Sequence, residues 1–341
     1  MKALFAEEQK RHDPKGFLSS GAPKPNPEQP ARADALLAGA KAAGCEIVRP
    51  RNHGLGPIAA IHTPEYLQFL QNIHERWQRI DGASAEVVPN IHPIARRGTY
   101  PASAVGQAGY HMADTSCPIS AQTWESSLWS AWTAVETAHA VLAGDSAAYA
   151  LCRPPGHHAF ADVAGGFCFI NNSGVAAQVL RSQAARVAIL DVDLHHGNGT
   201  QGVFYARGDV LTVSIHADPV RFYPFFWGHA DERGEGPGLG YNLNLPLPRK
   251  TGDEGFLDAL EAALKRIRAF APAALVVALG LDAFEGDPFG GLSVSTPGFA
   301  RIGEAIAKLQ LPTAIVQEGG YLCAELGDNL TSFLTGFGGA R

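Results

Sequence analysis

The sequence predicts an α/β fold: one domain spanning residues 1–341, built on an open, mainly parallel central sheet with helices on both faces. Three observations carry this. Five short apolar runs stop abruptly at polar residues, as strands covered on both faces do. Stretches with helical spacing lie between those runs, so strand and helix alternate along the chain. With 46% of 341 residues hydrophobic and 18% charged, the chain can also bury a large core without disulfides.

In chain order the strand-like runs are AAYALCRPPGHH (147–158), VAILDVDLHH (187–196), VLTVSIH (210–216), AALVVALGLD (273–282) and TAIVQEGGY (313–321). The helix-like stretches cover 126–144, 171–185, 253–271 and 297–310. In the third, Phe256, Leu257, Leu260, Leu264 and Ile267 follow helical spacing, and an acidic start and basic end suit the helix dipole. Two segments break the alternation and read as elaborated loops near a site or interface: about 15–30, with four prolines between 23 and 30, and 81–118, rich in Gly, Pro and Ser. Val87, Val88, Ile91, Ile94, Tyr100 and Tyr110 recur through the second loop, which argues against a flexible linker.

Composition excludes several classes. Net charge is −6 with no Lys/Arg block, so no nucleic-acid surface and no acidic-membrane surface is expected. The first residues, MKALFAEEQKRHDPKG, place charges where a signal peptide needs apolar ones, and no run approaches the ~18 apolar residues of a membrane span. Five cysteines without a C-x-x-C pair fit a reduced chain, and a cytoplasmic location is the expectation. No phosphate-cradling glycine motif and no G-x-S-x-G elbow occurs, which removes nucleotide binding and the usual serine hydrolase.

The stretch ILDVDLHHGNGTQ (189–201) concentrates the chemistry. In an extended segment Asp191, Asp193 and His195 share one face while Val192 and Leu194 enter the opposite core layer. Ionised carboxylates at a buried strand end cost several kcal/mol each, on the order of usual burial penalties, unless a cation compensates. Asp and His at this spacing suit Zn²⁺ or a similar ion with an open position. A hydrogen-bonded Asp/His turn is the plainer reading of one Asp-x-His; the longer pattern favours a metal. A third ligand must come from another strand end: Asp282, His216 or Glu318. Spacing does not choose among them, although a second carboxylate would neutralise the ion more fully.

RPPGHHA (153–159) presents His157 and His158 after a strand, suited to proton transfer. EGGY (318–321) sets Tyr321 on a glycine-permitted turn, where a phenol could donate to a carbonyl oxygen. In GGFCFINN (165–172), Gly166 and Phe167, with Phe222 and Tyr223, could wall a channel, and the paired asparagines could cap a helix.

Together RPPGHHA, GGFCFINN, ILDVDLHHGNGTQ, LGLDAFEGDP and EGGY resemble the arginase/deacetylase superfamily, specifically the acetylpolyamine amidohydrolases and their histone-deacetylase-like relatives. The resemblance runs over roughly residues 1–335. It implies Asp193, His195 and Asp282 as metal ligands, with Zn²⁺ usual and Fe²⁺ possible. It implies His157 and His158 as the acid/base pair and Tyr321 as the carbonyl-polarising group. Asp191 matches the carboxylate behind the first histidine; Asn198 stands where the histone-deacetylase branch usually has Asp. A structural K⁺ is implied at Asp191, Asp193, His195, Ser214 and Ile215. The implied reaction is hydrolysis of an acetyl amide to amine and acetate, on small cationic acetylated amines such as acetylputrescine, acetylcadaverine or acetylspermidine. A homodimer through 81–118 would narrow the channel mouth, and Asp114, or Ser116 in its place, would read a distal ammonium. A broader acetyl-lysine peptide or protein deacetylase and a non-catalytic metal-containing acetyl-amine binding protein are the competing readings; an arginase-like two-manganese site lacks its extra ligands.

Overall fold

The computed structural model describes residues 1–96 and 98–340. The strands are β1 (Lys2–Leu4), β2 (Gly16–Ser19), β3 (Ala22–Pro25), β4 (Glu46–Val48), β5 (Ala147–Ala150), β6 (Val187–Asp191), β7 (Val210–Ala217), β8 (Asn242–Leu247), β9 (Ala274–Leu279) and β10 (Thr313–Gln317). The helices are α1 (Ala31–Ala42), α2 (Gly56–Ala59), α3 (Pro64–Trp77), α4 (Ala104–His111), α5 (Thr123–Leu142), α6 (Asn172–Arg181), α7 (Asn198–Phe204), α8 (Asp253–Phe270), α9 (Thr296–Ala307) and α10 (Leu326–Gly339).

Eight strands form one sheet in the order β4-β1-β5-β10-β9-β6-β7-β8, and every pairing in it is parallel. Burial on both faces explains why its strands read as continuous apolar runs. Along β6, Ala188 and Leu190 enter one core with α1, α8, α9 and α10, while Val187 and Ile189 enter the other with α3 to α6. Each fully buried Leu, Ile or Phe on these faces contributes about 1.5–3 kcal/mol relative to exposure.

The loop predicted over 15–30 holds the antiparallel β2–β3 hairpin, which lies outside the main sheet. The stretch read as a loop over 81–118 contains α4, capped by the Ser103 hydroxyl accepting from the Gly106 amide. Val87 is a core residue bridged to Ile119, so it is not free for an interface; Ile91 is 59% exposed and Ile94 fully exposed. Asn171 is the cap of α6, accepting from the Gly174 amide at 2.7 Å. No helix among the described residues is long and apolar enough to cross a membrane.

The sheet order places the chemistry. β5, β10, β9 and β6 are consecutive neighbours, and the carboxyl ends of these four lead into RPPGHHA, EGGY, LGLD and DVDLHH. Ligand sites in open parallel sheets gather at that edge.

Candidate active site

β6 ends at Asp191, earlier than an extended run through His195 would require, yet the alternation persists: Val192 and Leu194 enter the core while the polar side chains turn to the sheet edge. Asp193, His195 and Asp282 are buried, with potential ligand atoms all within 4.8 Å of one another. His195 Nδ1 lies 3.1 Å from Asp282 Oδ2 and 3.4 Å from Asp193 Oδ1. The second oxygens are fixed by backbone amides: Gly319 N donates to Asp193 Oδ2 at 2.7 Å and Leu194 N to Asp282 Oδ1 at 3.0 Å. A Cβ on Gly280 would collide with the Asp193 carboxylate, and one on Gly319 with both carboxylates.

Electrostatics tests whether this trio fits a metal. Burial and the Asp193 charge push the Asp282 carboxyl up. Although burial opposes it, the two carboxylates push the His195 imidazole up to about 9. Two crowded carboxylates thus create a field that calls for a cation, and an Asp₂His donor set with rigidly held oxygens fits a divalent ion with an open position.

Of the other ligand candidates from sequence, neither reaches this trio's role. His216 donates Nε2–H to Gly228 O at 2.8 Å and accepts at Nδ1 from the Ser214 hydroxyl at 2.8 Å. Glu318 accepts from the Gly156 and His157 amides at 2.7 and 3.0 Å and from Ser173 Oγ at 2.6 Å. His157, Cys168 and Glu318 also cluster within 4.8 Å. There the carboxylate is already saturated with donors, and burial pushes the Cys168 thiol well up, away from the thiolate a metal needs.

His157 and His158 project differently. His157 Nδ1 meets Asp191 Oδ2 at 2.9 Å, and its Nε2 is 3.8 Å from Asp193 Oδ1. Burial disfavours charge on this ring, but the Asp193 and Asp191 carboxylates outweigh it and push the imidazole well up. His158 Nδ1–H donates to Asn198 Oδ1 at 2.7 Å. Burial, then its neighbours His157 and His195, push this ring well down. One histidine favours its proton; the other presents a bare Nε2.

A cavity of about 750 Å³ opens onto His158, His195 and Asn198, lined also by Gly166, Phe167, Phe222, Tyr223, Phe289 and Tyr321 among others. Phe222 stacks on His195 at 5.1 Å, and Tyr223 stands perpendicular to His158 at 4.9 Å. Phe289 and Phe167 meet the Tyr321 ring edge-on at 4.6 and 5.9 Å. Burial pushes the Tyr321 phenol well up, so it stays a donor. Asp114 lines the cavity, but Tyr223 Oη donates to it at 2.7 Å, Gly166 N at 3.2 Å and Ser116 N at 2.7 Å. It holds the wall in place.

Asp191 and Ser214 are register partners across β6 and β7, and Ile215 follows. Since Ser214 gives its proton to His216, its oxygen lone pairs remain available.

Sequence reasoning missed a supporting layer. Arg32 donates Nε–H to Gly320 O at 2.5 Å and Nη2–H to Glu318 O at 2.9 Å, and its guanidinium sits 4.9 Å from the Tyr321 ring centre. Glu28 holds Arg32 and Arg153 at 2.5 and 2.9 Å. Asp287 accepts from the Tyr321 amide at 3.0 Å and the Phe289 amide at 2.9 Å, so it ties the phenol's turn to the channel wall. The available signals were Asp287 within LGLDAFEGDP and Glu28 within the proline-rich segment.

Comparison with known proteins places this geometry. The histone deacetylase domain family matches residues 26–337. The acetylpolyamine amidohydrolase of Burkholderia pseudomallei (strain 1710b) is 48% identical over the whole of both chains, and that of Mycoplana ramosa is 42% identical over 99% of this chain and 100% of the relative. A crystal structure of acetylpolyamine aminohydrolase from Burkholderia pseudomallei superposes with a TM-score of 0.97 at 47% identity, covering 100% of this chain and 99% of that one. The fold is that of the histone deacetylases, and the enzyme is a hydrolytic deacetylase of a family that generally uses a metal. With residues 26–337 matched, the chain belongs to the histone deacetylase domain family.

Proposed function

We propose that this protein hydrolyses the acetyl amide of small acetylated polyamines and diamines, of the acetylputrescine, acetylcadaverine and acetylspermidine type, with Zn²⁺ as its metal and Fe²⁺ able to take the same ligands. The observation that carries the reading is one aromatic-walled cavity reached by His195 of the Asp193, His195 and Asp282 trio, by His158 of the two differently polarised histidines, and by Tyr321. Full-length relatives named for that activity support the substrate class.

Asp193, His195 and Asp282 would hold the ion, which when bound polarises an amide carbonyl and acidifies water. His158, neutral and with Nε2 bare, accepts the proton of the attacking water. His157, kept protonated against Asp191, steadies the charge that develops beside it. Tyr321 donates its O–H to the carbonyl oxygen as that oxygen becomes negative, supplying the donor of an oxyanion site. The departing nitrogen takes up a proton from the histidine pair, and amine and acetate leave.

Three further elements belong to this reading. A K⁺ bound by Asp191, Asp193, His195, Ser214 and Ile215 would brace the metal loop. Exposed Ile91 and Ile94 support a homodimer through 81–118. The five free cysteines suit a cytoplasmic setting.

The test is acetate release from N-acetylputrescine, N-acetylcadaverine and N-acetylspermidine by protein stripped with a chelator and reloaded with one equivalent of Zn²⁺ or Fe²⁺. Metal-dependent release is expected. Release that survives complete stripping, or none with either metal, overturns the proposal.

A further inference from the structure

The mouth of the cavity carries an unexpected charge balance. Its lining includes one carboxylate, Asp114, and two guanidiniums, Arg221 and Arg249. Asp114 already accepts from Tyr223, Gly166 and Ser116, which occupies most of its acceptor sites and aims its oxygens at the wall. The arginines are the opposite case: both are exposed, and among the described residues neither forms an ion pair. Arg249 donates one hydrogen bond, to Gly290 O at 3.2 Å, and lies 5.5 Å from the centre of the Phe222 ring. That same ring stacks on the metal-trio histidine, His195. Only one aromatic residue therefore separates Arg249 from the reaction centre.

A guanidinium fork matches a carboxylate with two parallel hydrogen bonds, and like charge disfavours an ammonium at the same place. An acetylated diamine would bring its free ammonium toward these two cations. Adding a carboxylate beside that ammonium reverses the balance without thickening the chain that must pass Phe167, Phe222 and Tyr223.

We infer that the same site also deacetylates free Nω-acetylated basic amino acids, Nε-acetyl-lysine and Nδ-acetylornithine, with Arg221 and Arg249 taking the α-carboxylate at the channel mouth. These molecules are the carboxylated counterparts of acetylcadaverine and acetylputrescine, so the inference rests on the hydrolytic reading above. The reaction is the same: water adds to the acetyl carbon, the C–N bond breaks, and acetate and the protonated side-chain amine leave. Within a peptide the α-carboxylate is an amide, so this recognition favours the free amino acid over a protein tail.

The experiment compares kcat/KM of the Zn²⁺-loaded enzyme for Nε-acetyl-lysine, its α-carboxamide and N-acetylcadaverine, in wild type, Arg221→Gln, Arg249→Gln and the double variant. Acetyl-lysine should be turned over in preference to its carboxamide. In the double variant its kcat/KM should fall tenfold or more, mainly through KM, while that for acetylcadaverine rises because a repulsive charge is gone. Turnover of acetylcadaverine without acetyl-lysine, or equal losses on both substrates in the double variant, overturns the inference and leaves the polyamine reading standing. Inactivity toward all three overturns both.

Discussion

The rings of His157 and His158 lie 4.0 Å apart, centre to centre, yet His157 leans on the carboxylate of Asp191 and His158 on the neutral amide of Asn198. Adjacent in sequence, they are held in opposite protonation preferences by that one difference.

Asn198→Asp should erase the distinction. A carboxylate at the 2.7 Å contact stabilises the charged ring and pushes the His158 imidazole up from its depressed range. Less of the bare base is then present at neutral pH. The acidic limb of kcat/KM should move up by about one pH unit or more, with activity recovering in alkali. A pH–rate profile checks this, and an unmoved acidic limb would dissociate Asn198 from the behaviour of His158.

Tyr321→Phe removes only the hydroxyl and leaves the ring contacts with Phe289, Phe167 and Arg32. We expect kcat to fall by about 10²-fold or more, the usual effect of losing one oxyanion donor, with an unchanged melting temperature. Steady-state kinetics beside thermal denaturation separates the two; near-normal kcat would exclude the phenol from the reaction.

Gly166 has φ +51°, and a Cβ there would overlap His158 and approach Tyr223 Oη to 2.9 Å. Gly166→Ala should therefore cost about 1–2 kcal/mol in backbone strain and at least tenfold in kcat through displaced His158. Chemical denaturation and kinetics are the measurements, and full activity in a stable variant would show that His158 tolerates the shift.

His62 links stability to acid. Its Nδ1–H faces Ala161 O at 3.2 Å and its Nε2 accepts from Asn171 N at 2.9 Å, so a second proton would oppose the Asn171 N–H. Burial pushes its pKa down to about 4. Between pH 6.5 and 4 the unfolded chain binds this proton and the folded chain does not. Stability is thus full above 6.5, falls as pH drops to 4, and is level below, a loss of about 3 kcal/mol. Urea unfolding at pH 7 and 4.5 should show a smaller decrease in His62→Gln than in wild type; equal decreases would place the acid sensitivity elsewhere.

Much of the site was legible because each motif is local. A buried strand that runs into His, Asp or Tyr within a few residues writes its own position, and five such runs gave the parallel sheet with His157, Asp193 and Tyr321 at its edge, whereas Asp282 was one of three candidates until the family resemblance chose it. The elements that went unread lack such signals. β1 and β4 have three residues each, too short for a pattern. α1 meets α10 at Gly39 and Gly327, where a Cβ on Gly39 would collide with the Gly327 carbonyl, so close backbone approach carries much of that contact. Arg32 reaches Gly320 across 288 residues of chain, and nothing near either position announces the contact. The wall role of Asp114 was equally hidden, because two of its donors, Tyr223 and Gly166, lie far along the sequence.

The four strands that deliver the reacting groups are also flanked on each side by at least two others. Amides in such a position exchange with solvent only when the whole domain opens, whereas outer strands and loop tips fray first. Thermal inactivation should accordingly track loss of the entire sheet, with no partly melted form that keeps its shape and has stopped working.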